Sequence, residues 1–436
     1  MHQLIEQAKQ TVDQAELYWK RTHSLSVSYE NNRLQEITEN DLSSVALRAI
    51  RNGRMGSTFA VSPDQPGLLD EAKTAAAYGD PARFAFAPAG DYPSVDAHDT
   101  ETERLTSQDL VSLCESVLDG IRAKRDDLPL FVEAEAERRE LAIETTAGAE
   151  ARCANTAVSL GFGAPIQGAG MPVFKSIDSV SPLERPDALI DEFVEWYGWT
   201  ENKSTPKTGR LPVIFAPEAS FLYLLPLWAG AEGDAVDKKT SPLLDRIGER
   251  VFSERLTIVD DPLDSGATGA RPFDDEGVPC RRRAIVDGGI LKGYFLDQRT
   301  AAALGEASTG NAVKRELFDG GTETKPSPWP IRLSVSPGDV SYRDMIAGLD
   351  EGLLVYFGMG FHSGNYPQGQ FAVQAVGFHI VNGSVVGRLD NTMISTNIYQ
   401  DFQSIRAVSR ERGPAVGFLD VVAPYVLVDS MQVAGS

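Results

Sequence analysis

The chain has 436 residues, of which 42% are hydrophobic and 24% are charged, a composition that excludes a disordered or collagen-like protein. A single hydrophobic core stops growing at about 250–300 residues, so this length predicts at least two cores. The 41 lysines and arginines against 62 aspartates and glutamates give a net charge of −21, which disfavours contact with nucleic acid.

The cysteines and the N-terminus indicate the compartment. Cys114, Cys153 and Cys280 lie far apart in the sequence, so a disulfide framework is not expected and a reducing environment is favoured. The N-terminal residues lack the basic start and the apolar run of a signal peptide. No run of about 18 apolar residues occurs, so no membrane span is expected. We therefore predict a cytoplasmic protein.

Residues 1–79 predict a small α+β unit. Ser24, Ser26 and Ser28 alternate with apolar residues, which is typical of a half-buried strand, and Asn52-Gly53 is a typical pair for a tight hairpin turn. The predicted elements, in chain order, are a helix within 1–22, a strand at 24–29, a turn at 31–32, strands that begin at 34 and at 45, a strand through 59–61 and a helix at 68–78.

A second small α+β unit is predicted over residues 105–200. It follows residues 80–104, which are rich in Pro, Ala and Asp and predict an irregular connection. The elements expected in the unit are a helix at 105–121, two or three strands within 132–158, a Gly-rich piece at 161–170 and a helix at 183–199.

The polar segment 201–210 predicts a linker and the main domain boundary. Beyond it, residues 211–436 predict a larger domain of short strands, with hairpin turns at 287–289 and 382–383. The fold class is therefore predicted to be α+β, with two small N-terminal units followed by a larger strand-rich C-terminal domain.

Local metal-binding and acid/base motifs are weak in this sequence. The five histidines are too far apart for one helix to present two of them to an ion; they are His2, His23, His98, His362 and His379. A site assembled from distant residues stays open, since His362 and His379 lie on neighbouring strand-like segments. A structural role is favoured for both because no cysteine or third histidine is near. The acidic runs 260–261 and 274–276 could hold a cation or form an acid/base pair, but such runs are more often turns.

Several segments, in the same order, resemble blocks of the TldD/PmbA family, which is also called the modulator of DNA gyrase family. They are 47–56, 273–279 with its Asp-Asp-Glu-Gly, 287–297, the Ser-Thr-Gly-Asn of 308–311, and 369–383. Together they span nearly the whole chain. The resemblance implies the same α+β architecture and a connection with proteolysis and peptide maturation.

The resemblance also identifies which kind of subunit this chain is similar to. The TldD-type subunit binds zinc through His-Glu-x-x-x-His, with Glu as general base, and has a late Cys ligand. Aligned on Glu-Gly-Asp at 232–234, the two histidines correspond to Leu224 and Ala229, and the glutamate corresponds to Leu225. Leu and Ala have no lone pair for a metal, and the last cysteine is Cys280. The chain thus resembles the PmbA/TldE type, which lacks the motif.

By resemblance, this chain is a non-catalytic subunit that forms a heterodimer with a TldD-like zinc protease. We expect no catalytic residue, no metal and no cofactor in this chain, and zinc in the partner. The complex would hold unfolded peptides in extended form in a cleft, and the isolated chain would form a homodimer. The residues expected along the cleft are Asp274, Asp275, Glu276, Ser308, Thr309, Asn311, His362 and Asn365.

Two other functions stay open on the sequence alone. The first is an independent metallopeptidase with ligands outside the motif, such as His362 with aspartate or glutamate. The second is a regulatory module that binds another protein and has no protease role, in line with the label of DNA gyrase modulator.

Overall fold

The N-terminal half folds into one antiparallel sheet in the computed structural model, which describes residues 1–317, 320–417 and 419–435. Its strands in these ranges are β1 Gln14–Glu30, β2 Arg33–Arg51, β3 Arg54–Ala60, β4 Phe131–Thr145, β5 Glu150–Ala164 and β6 Val173–Ser179. The spatial order is β3-β2-β1-β4-β5-β6. Asn52 (φ 52°) and Gly53 (φ 70°) form the predicted turn between β2 and β3, because both residues tolerate positive φ.

Helices cover this sheet on its apolar side and at its end. They are α1 His2–Ala8, α2 Leu68–Ala76, α3 Ser107–Arg122 and α4 Asp187–Trp199. Thr106 begins α3 with a capping box, in which its side chain accepts from the Asp109 amide and the Asp109 carboxylate accepts from the Thr106 amide. Both α3 and α4 contribute to a core that also includes the apolar face of β4.

Two sequence predictions for the first unit were wrong. The helix predicted within 1–22 ends at Ala8, because the residues from Gln14 onward pair with β2 and bury Leu17 opposite Leu47. The strands predicted to begin at 34 and at 45 are one strand, β2, which continues through 40–41. These polar residues look like a turn, but they stay paired with β1, where Arg21 and Asp41 form an ion pair at 2.6 Å.

The two predicted N-terminal units share a single sheet. Strands β1 and β4 pair along their length, from Glu16 opposite Thr145 to Tyr29 opposite Val132. Each unit therefore contributes three of the six strands. The α+β fold class is confirmed, whereas the exact domain boundaries stay predictions.

The C-terminal half is built on a larger sheet. Its strands and those of a short hairpin, within the described ranges, are β7 Lys203–Ser204, β8 Gly209–Phe215, β9 Ile258–Asp260, β10 Arg283–Asp287, β11 Ile290–Leu291, β12 Ala312–Val313, β13 Ser327–Pro328, β14 Leu333–Val335, β15 Glu351–Met359, β16 Gln370–Val381, β17 Ser384–Leu389, β18 Thr392–Asn397, β19 Ile405–Pro414 and β20 Val421–Gly435. The spatial order is β11-β10-β9-β14-β20-β8-β15-β16-β17-β7. Strand β18 bridges β16 and β20, β19 pairs with β20, and β12 pairs with β13.

The C-terminal helices are short and lie between these strands. They are α5 Phe221–Ala231, α6 Gly233–Asp237, α7 Gln298–Leu304, α8 Tyr342–Ala347 and α9 Ile398–Asp401. The predicted turns at 287–289 and 382–383 are confirmed, with positive φ at Gly288, Gly289, Asn382 and Gly383. None of the described helices combines the length and the apolar character that a membrane crossing requires.

One core joins the two halves of the chain. Trp196 of α4 packs against Tyr356 of β15 and Phe378 of β16, with ring centroids 5.6 Å apart in each case. A buried lysine in the same region, Lys175 of β6, is paired with Glu218 at 2.8 Å and with Glu192 at 2.9 Å. The N-terminal sheet is thus held to the C-terminal sheet by both apolar and ionic contacts.

Candidate functional site

The helix that aligns with the family's metal motif is part of the hydrophobic core. Leu224 and Leu225 of α5 are fully buried, and Ala229 is 7% exposed. The two leucines belong to a cluster that includes side chains from β8, β15, β16 and β20. The sequence Phe-Leu-Tyr-Leu-Leu-Pro-Leu-Trp-Ala-Gly-Ala is apolar on all sides, which is typical of a helix buried on all sides.

The second half of α5 is closely packed around a proline. Pro226 has no amide hydrogen, so it cannot donate to the carbonyl one turn earlier. The Tyr399 hydroxyl donates to the Pro226 carbonyl at 3.3 Å. A Cβ atom on Gly230 would lie 2.2 Å from the Tyr399 hydroxyl oxygen. The helix can therefore approach Tyr399 only because residue 230 has no side chain.

These residues do not fit a zinc ion. The side chains of Leu224, Leu225 and Ala229 contain only carbon and hydrogen, so they supply neither a ligand nor a base. Among the described residues, no three His, Cys, Asp or Glu side chains are grouped so that they could hold a metal.

The acidic segment 274–276 is buried, and its carboxylates are occupied by bonds within the protein. Asp274 accepts from the amides of Glu276, Val278 and Ala312 at 2.9–3.0 Å. Asp275 accepts from the Arg271 guanidinium and from the Lys314 amide, both at 2.7 Å. These bonds join three stretches of loop, so the observed contacts are those of a structural junction.

The pKa values of these two carboxyl groups move in opposite directions. Burial, followed by the charge of Glu276, raises the pKa of Asp274 well above its usual value. Burial also acts on Asp275, but Arg271 and the Lys314 amide outweigh it and lower its pKa. The surroundings of Asp275 therefore favour its ionised form.

The polar turn 308–311 lies beside this acidic segment. Asn311 donates to Asp260 at 2.6 Å and to the Trp329 carbonyl at 3.2 Å, and it accepts from Thr309 at 2.7 Å. The hydroxyl of Ser308 donates to the Leu296 carbonyl at 3.1 Å. The structure thus brings six of the residues predicted for the cleft into one neighbourhood, where their polar atoms bond to the backbone and to side chains of the same region.

The other two predicted cleft residues lie in a separate, exposed turn. His362 and Asn365 are exposed, in the segment between β15 and β16. Asn365 lines a shallow cavity of about 560 Å³ together with Gln370 and Thr396. No hydrogen bond or ion pair in the described ranges connects either residue with the buried neighbourhood. Whether any of the eight residues contacts a peptide stays a prediction.

Sequence analysis did not identify the ionic contact between the two halves. Arg48 of β2 is buried and donates to both oxygens of Glu16, at 2.7 and 2.8 Å, and to Glu276 at 3.0 Å. Its guanidinium also lies 5.1 Å from the centroid of the Phe86 ring. Since Glu16, Arg48 and Glu276 are far apart in the chain, no local spacing could have predicted this network.

The residue that follows α5, Glu232, is expected to make stability depend on pH. Burial, and then the negative charge of Asp234, raises its pKa from 4.5 to about 7. The folded state therefore holds the proton more tightly than the unfolded state, and stability falls as pH rises from about 4.5 to about 7. We compare the free energy of unfolding of Glu232→Gln with that of the wild type. Between pH 5 and pH 8.5, this difference should shift by about 2 kcal/mol in favour of the variant.

Urea unfolding at both pH values measures this difference. Glu254→Gln is the matched control, because Glu254 is exposed and forms no ion pair in the described ranges. Equal pH dependence in Glu232→Gln and in the wild type would contradict the prediction.

Known protein families match two parts of the chain. The family model described as PmbA/TldA metallopeptidase domain 1 matches residues 15–78. The model described as PmbA/TldA metallopeptidase C-terminal domain matches residues 208–435. The second match contains α5, the acidic segment and the 308–311 turn.

Individual relatives are similar over different lengths. The chain is 25% identical to a metalloprotease of Methanothermobacter thermautotrophicus over 93% of this chain and 90% of the relative. It is 29% identical to a zinc metalloprotease TldD homolog of Saccharolobus solfataricus, over 53% of each chain. It is 28% identical to the metalloprotease PmbA of Escherichia coli O157:H7, over 55% of this chain and 51% of the relative. The chain thus spans about half the length of several relatives that it matches.

A solved structure matches the whole fold. TldE from Thermococcus kodakarensis superposes with a TM-score of 0.91 over 100% of both chains, at 23% sequence identity. At this identity, the likeness shows a common fold.

Proposed function

Because the chain belongs to the PmbA/TldD metallopeptidase family, we propose that it is a non-catalytic PmbA/TldE-like subunit that pairs with a TldD-like zinc protease. The proposal rests on the residue types and the burial of three positions in α5. At the positions that align with the two histidines and the glutamate of the zinc motif, Leu224, Ala229 and Leu225 are buried in the core. A zinc ion there would have no ligand from these positions and no general base.

In this proposal the partner supplies the zinc, and the present chain helps to form the cleft for an unfolded peptide. An extended peptide can be held by main-chain hydrogen bonds to a strand edge, which needs no catalytic group on this subunit. Of the residues predicted along the cleft, His362 and Asn365 are exposed and available for contact. We further propose that the pair works in the cytoplasm in peptide maturation.

Coexpression with a TldD-like subunit tests the proposal. We expect the two chains to copurify with about one zinc ion per pair, and peptidase activity to require both chains. The present chain alone should form a homodimer without stoichiometric zinc. A pair in which the partner's two motif histidines are changed to alanine should assemble and should not cleave an unfolded peptide.

The same measurements distinguish the independent metallopeptidase. Stoichiometric zinc and peptide cleavage by the present chain alone, with both lost in His362→Ala, would overturn the proposal. His23→Ala is the matched control, because His23 is half exposed on β1 and pairs with Glu39 away from α5.

A further inference from the structure

A cavity of about 600 Å³ lies between the N-terminal sheet and the C-terminal half, and we name it the interdomain cavity. Its walls include Tyr18 and Lys20 of β1, Arg139 of β4 and the segments 313–317 and 329–331. Neither α5 nor the acidic segment 274–276 lines it. Its volume is in the range of small-molecule sites, which often lie where two domains meet.

The described residues that line this cavity carry more positive than negative charge, although the chain as a whole is strongly acidic. The carboxylates among them are Glu316, which is exposed, and Asp420, which forms an ion pair with Arg332. The cationic residues in its lining are Lys20, Arg139, Arg271, Lys314 and Arg315.

Two of the five cations are neutralised by neighbours. Arg271 pairs with Asp275 at 2.7 Å, and Arg139 pairs with Glu137 at 2.5 Å. The Arg139 Nε atom is nevertheless buried and has no hydrogen-bond partner in the described ranges. Because an unsatisfied buried donor is costly, this atom is a first indication that a ligand acceptor belongs here.

The other three cations form no ion pair with a described residue. The Lys314 ammonium donates to the carbonyl oxygens of Thr322 and Thr324, both at 3.2 Å. The Arg315 guanidinium donates to the Gly417 carbonyl at 3.1 Å. The Lys20 ammonium forms no hydrogen bond or ion pair within the described ranges. Three positive charges therefore border the cavity without a bonded carboxylate.

The pKa values are consistent with this excess of positive charge. Burial, followed by the charge of Arg48, lowers the pKa of Lys314 to about 8. Burial, followed by the charge of Arg139, lowers the pKa of Lys20. The pKa of Arg315 is also lowered by burial, in spite of Asp420. A bound anion would relieve each of these shifts.

An aromatic wall accompanies the charges. Trp329 is 3% exposed, and its ring lies 5.5 Å from the Arg315 guanidinium. The Trp329 ring also contacts Trp228, with ring centroids 4.2 Å apart, and the Trp228 Nε1 donates to the Pro328 carbonyl at 2.9 Å. The indole is therefore held in place and forms an apolar part of the cavity lining.

We propose that the interdomain cavity binds an organic anion, whose carboxylate lies among Lys20, Lys314 and Arg315 and whose apolar part packs against Trp329. Charge-assisted hydrogen bonds from lysine and arginine are among the strongest that proteins make. The inference does not depend on the protease-subunit role.

Isothermal titration calorimetry of the full chain tests the proposal, with 3-phenylpropionate as the probe. The neutral amide of the same shape, 3-phenylpropionamide, should bind at least about 10-fold more weakly, because it lacks the charge. Arg315→Gln and Lys20→Gln should each weaken 3-phenylpropionate about 10-fold. Arg255→Gln is the matched control, because Arg255 is exposed and lies outside the cavity.

A second variant separates the aromatic wall from the charges. Trp329→Leu should weaken 3-phenylpropionate and leave binding of inorganic phosphate unchanged. If the protein bound phosphate but did not bind 3-phenylpropionate, the proposal of an organic ligand would be overturned. Absence of saturable binding for both anions, or equal binding of acid and amide, would overturn the site. The circular dichroism spectrum of each variant establishes that it is folded.

Discussion

Arg48→Met is expected to lower the free energy of unfolding by about 3–5 kcal/mol, the usual cost of removing one partner from a buried ion pair. The substitution keeps an apolar chain of similar length against Phe86 but removes the only cation that bonds to both Glu16 and Glu276 in the described structure. Both carboxylates would then stay buried, each 1% exposed. The loss should be visible as a shift of the urea unfolding midpoint.

The pH dependence of this loss provides a second check. Burial raises the pKa of Glu276 to about 7, and Arg48 acts against that increase. Without Arg48 the pKa rises further, so the folded variant must either take up a proton or bury an uncompensated charge. The folded variant is stabilised when the Glu276 carboxyl is protonated. This contribution is present at low pH and is lost as the pH rises through the raised pKa of Glu276. The difference from the wild type should therefore be larger at pH 8.5 than at pH 5.

Arg51→Met is the matched control for this substitution. Arg51 lies three positions later, at the end of the same strand, and it is exposed. An exposed substitution of this kind usually changes stability by less than about 0.5 kcal/mol. If Arg48→Met were no more destabilising than Arg51→Met, the buried network would not hold the N-terminal sheet to the C-terminal half.

Leu225→Ala is expected to lower the free energy of unfolding by about 2–5 kcal/mol. Leu225 is fully buried in the core around α5, so the shorter side chain removes apolar contacts and leaves a cavity. Urea unfolding monitored by circular dichroism measures the change. The position is informative because it aligns with the general base of the zinc-binding relatives.

Leu42→Ala is the matched control, because Leu42 is 67% exposed on β2. The same chemical change there should cost much less, since little apolar surface is removed from the core. A loss for Leu225→Ala as small as that for Leu42→Ala would mean that α5 is not packed in the core. It would also remove the observation on which the proposed non-catalytic role depends.

Properties that depend on neighbouring residues could be predicted from the sequence. Turn chemistry at Asn52-Gly53 and at 382–383 is local, and both turns are present. The family resemblance rests on short blocks whose order is itself a property of the sequence, and the matches at 15–78 and 208–435 confirm it. The absence of histidine at 224 and 229 is likewise a fact of the chain.

Properties that depend on distant residues needed the tertiary structure. The helix predicted within 1–22 ends at Ala8, because the residues from Gln14 onward pair with β2. This pairing stabilises a strand more than the apolar stripe stabilises a helix. The burial of the acidic segment 274–276 could not be predicted locally, because it depends on amides from 312 and 314 and on guanidinium groups from 48 and 271. These amide and guanidinium groups reach the acidic segment only when the chain is folded.

The sequence by itself therefore determined the fold class, the family and the lack of metal ligands on α5, because these follow from residue types and their local order. Only the tertiary structure decided which charges are satisfied. It places Arg48 between two carboxylates and leaves Lys20, Lys314 and Arg315 around a cavity without bonded carboxylates among the described residues. The physical reason is that the energy of a buried charge depends on groups within a few ångströms, and in this fold those groups come from distant parts of the chain.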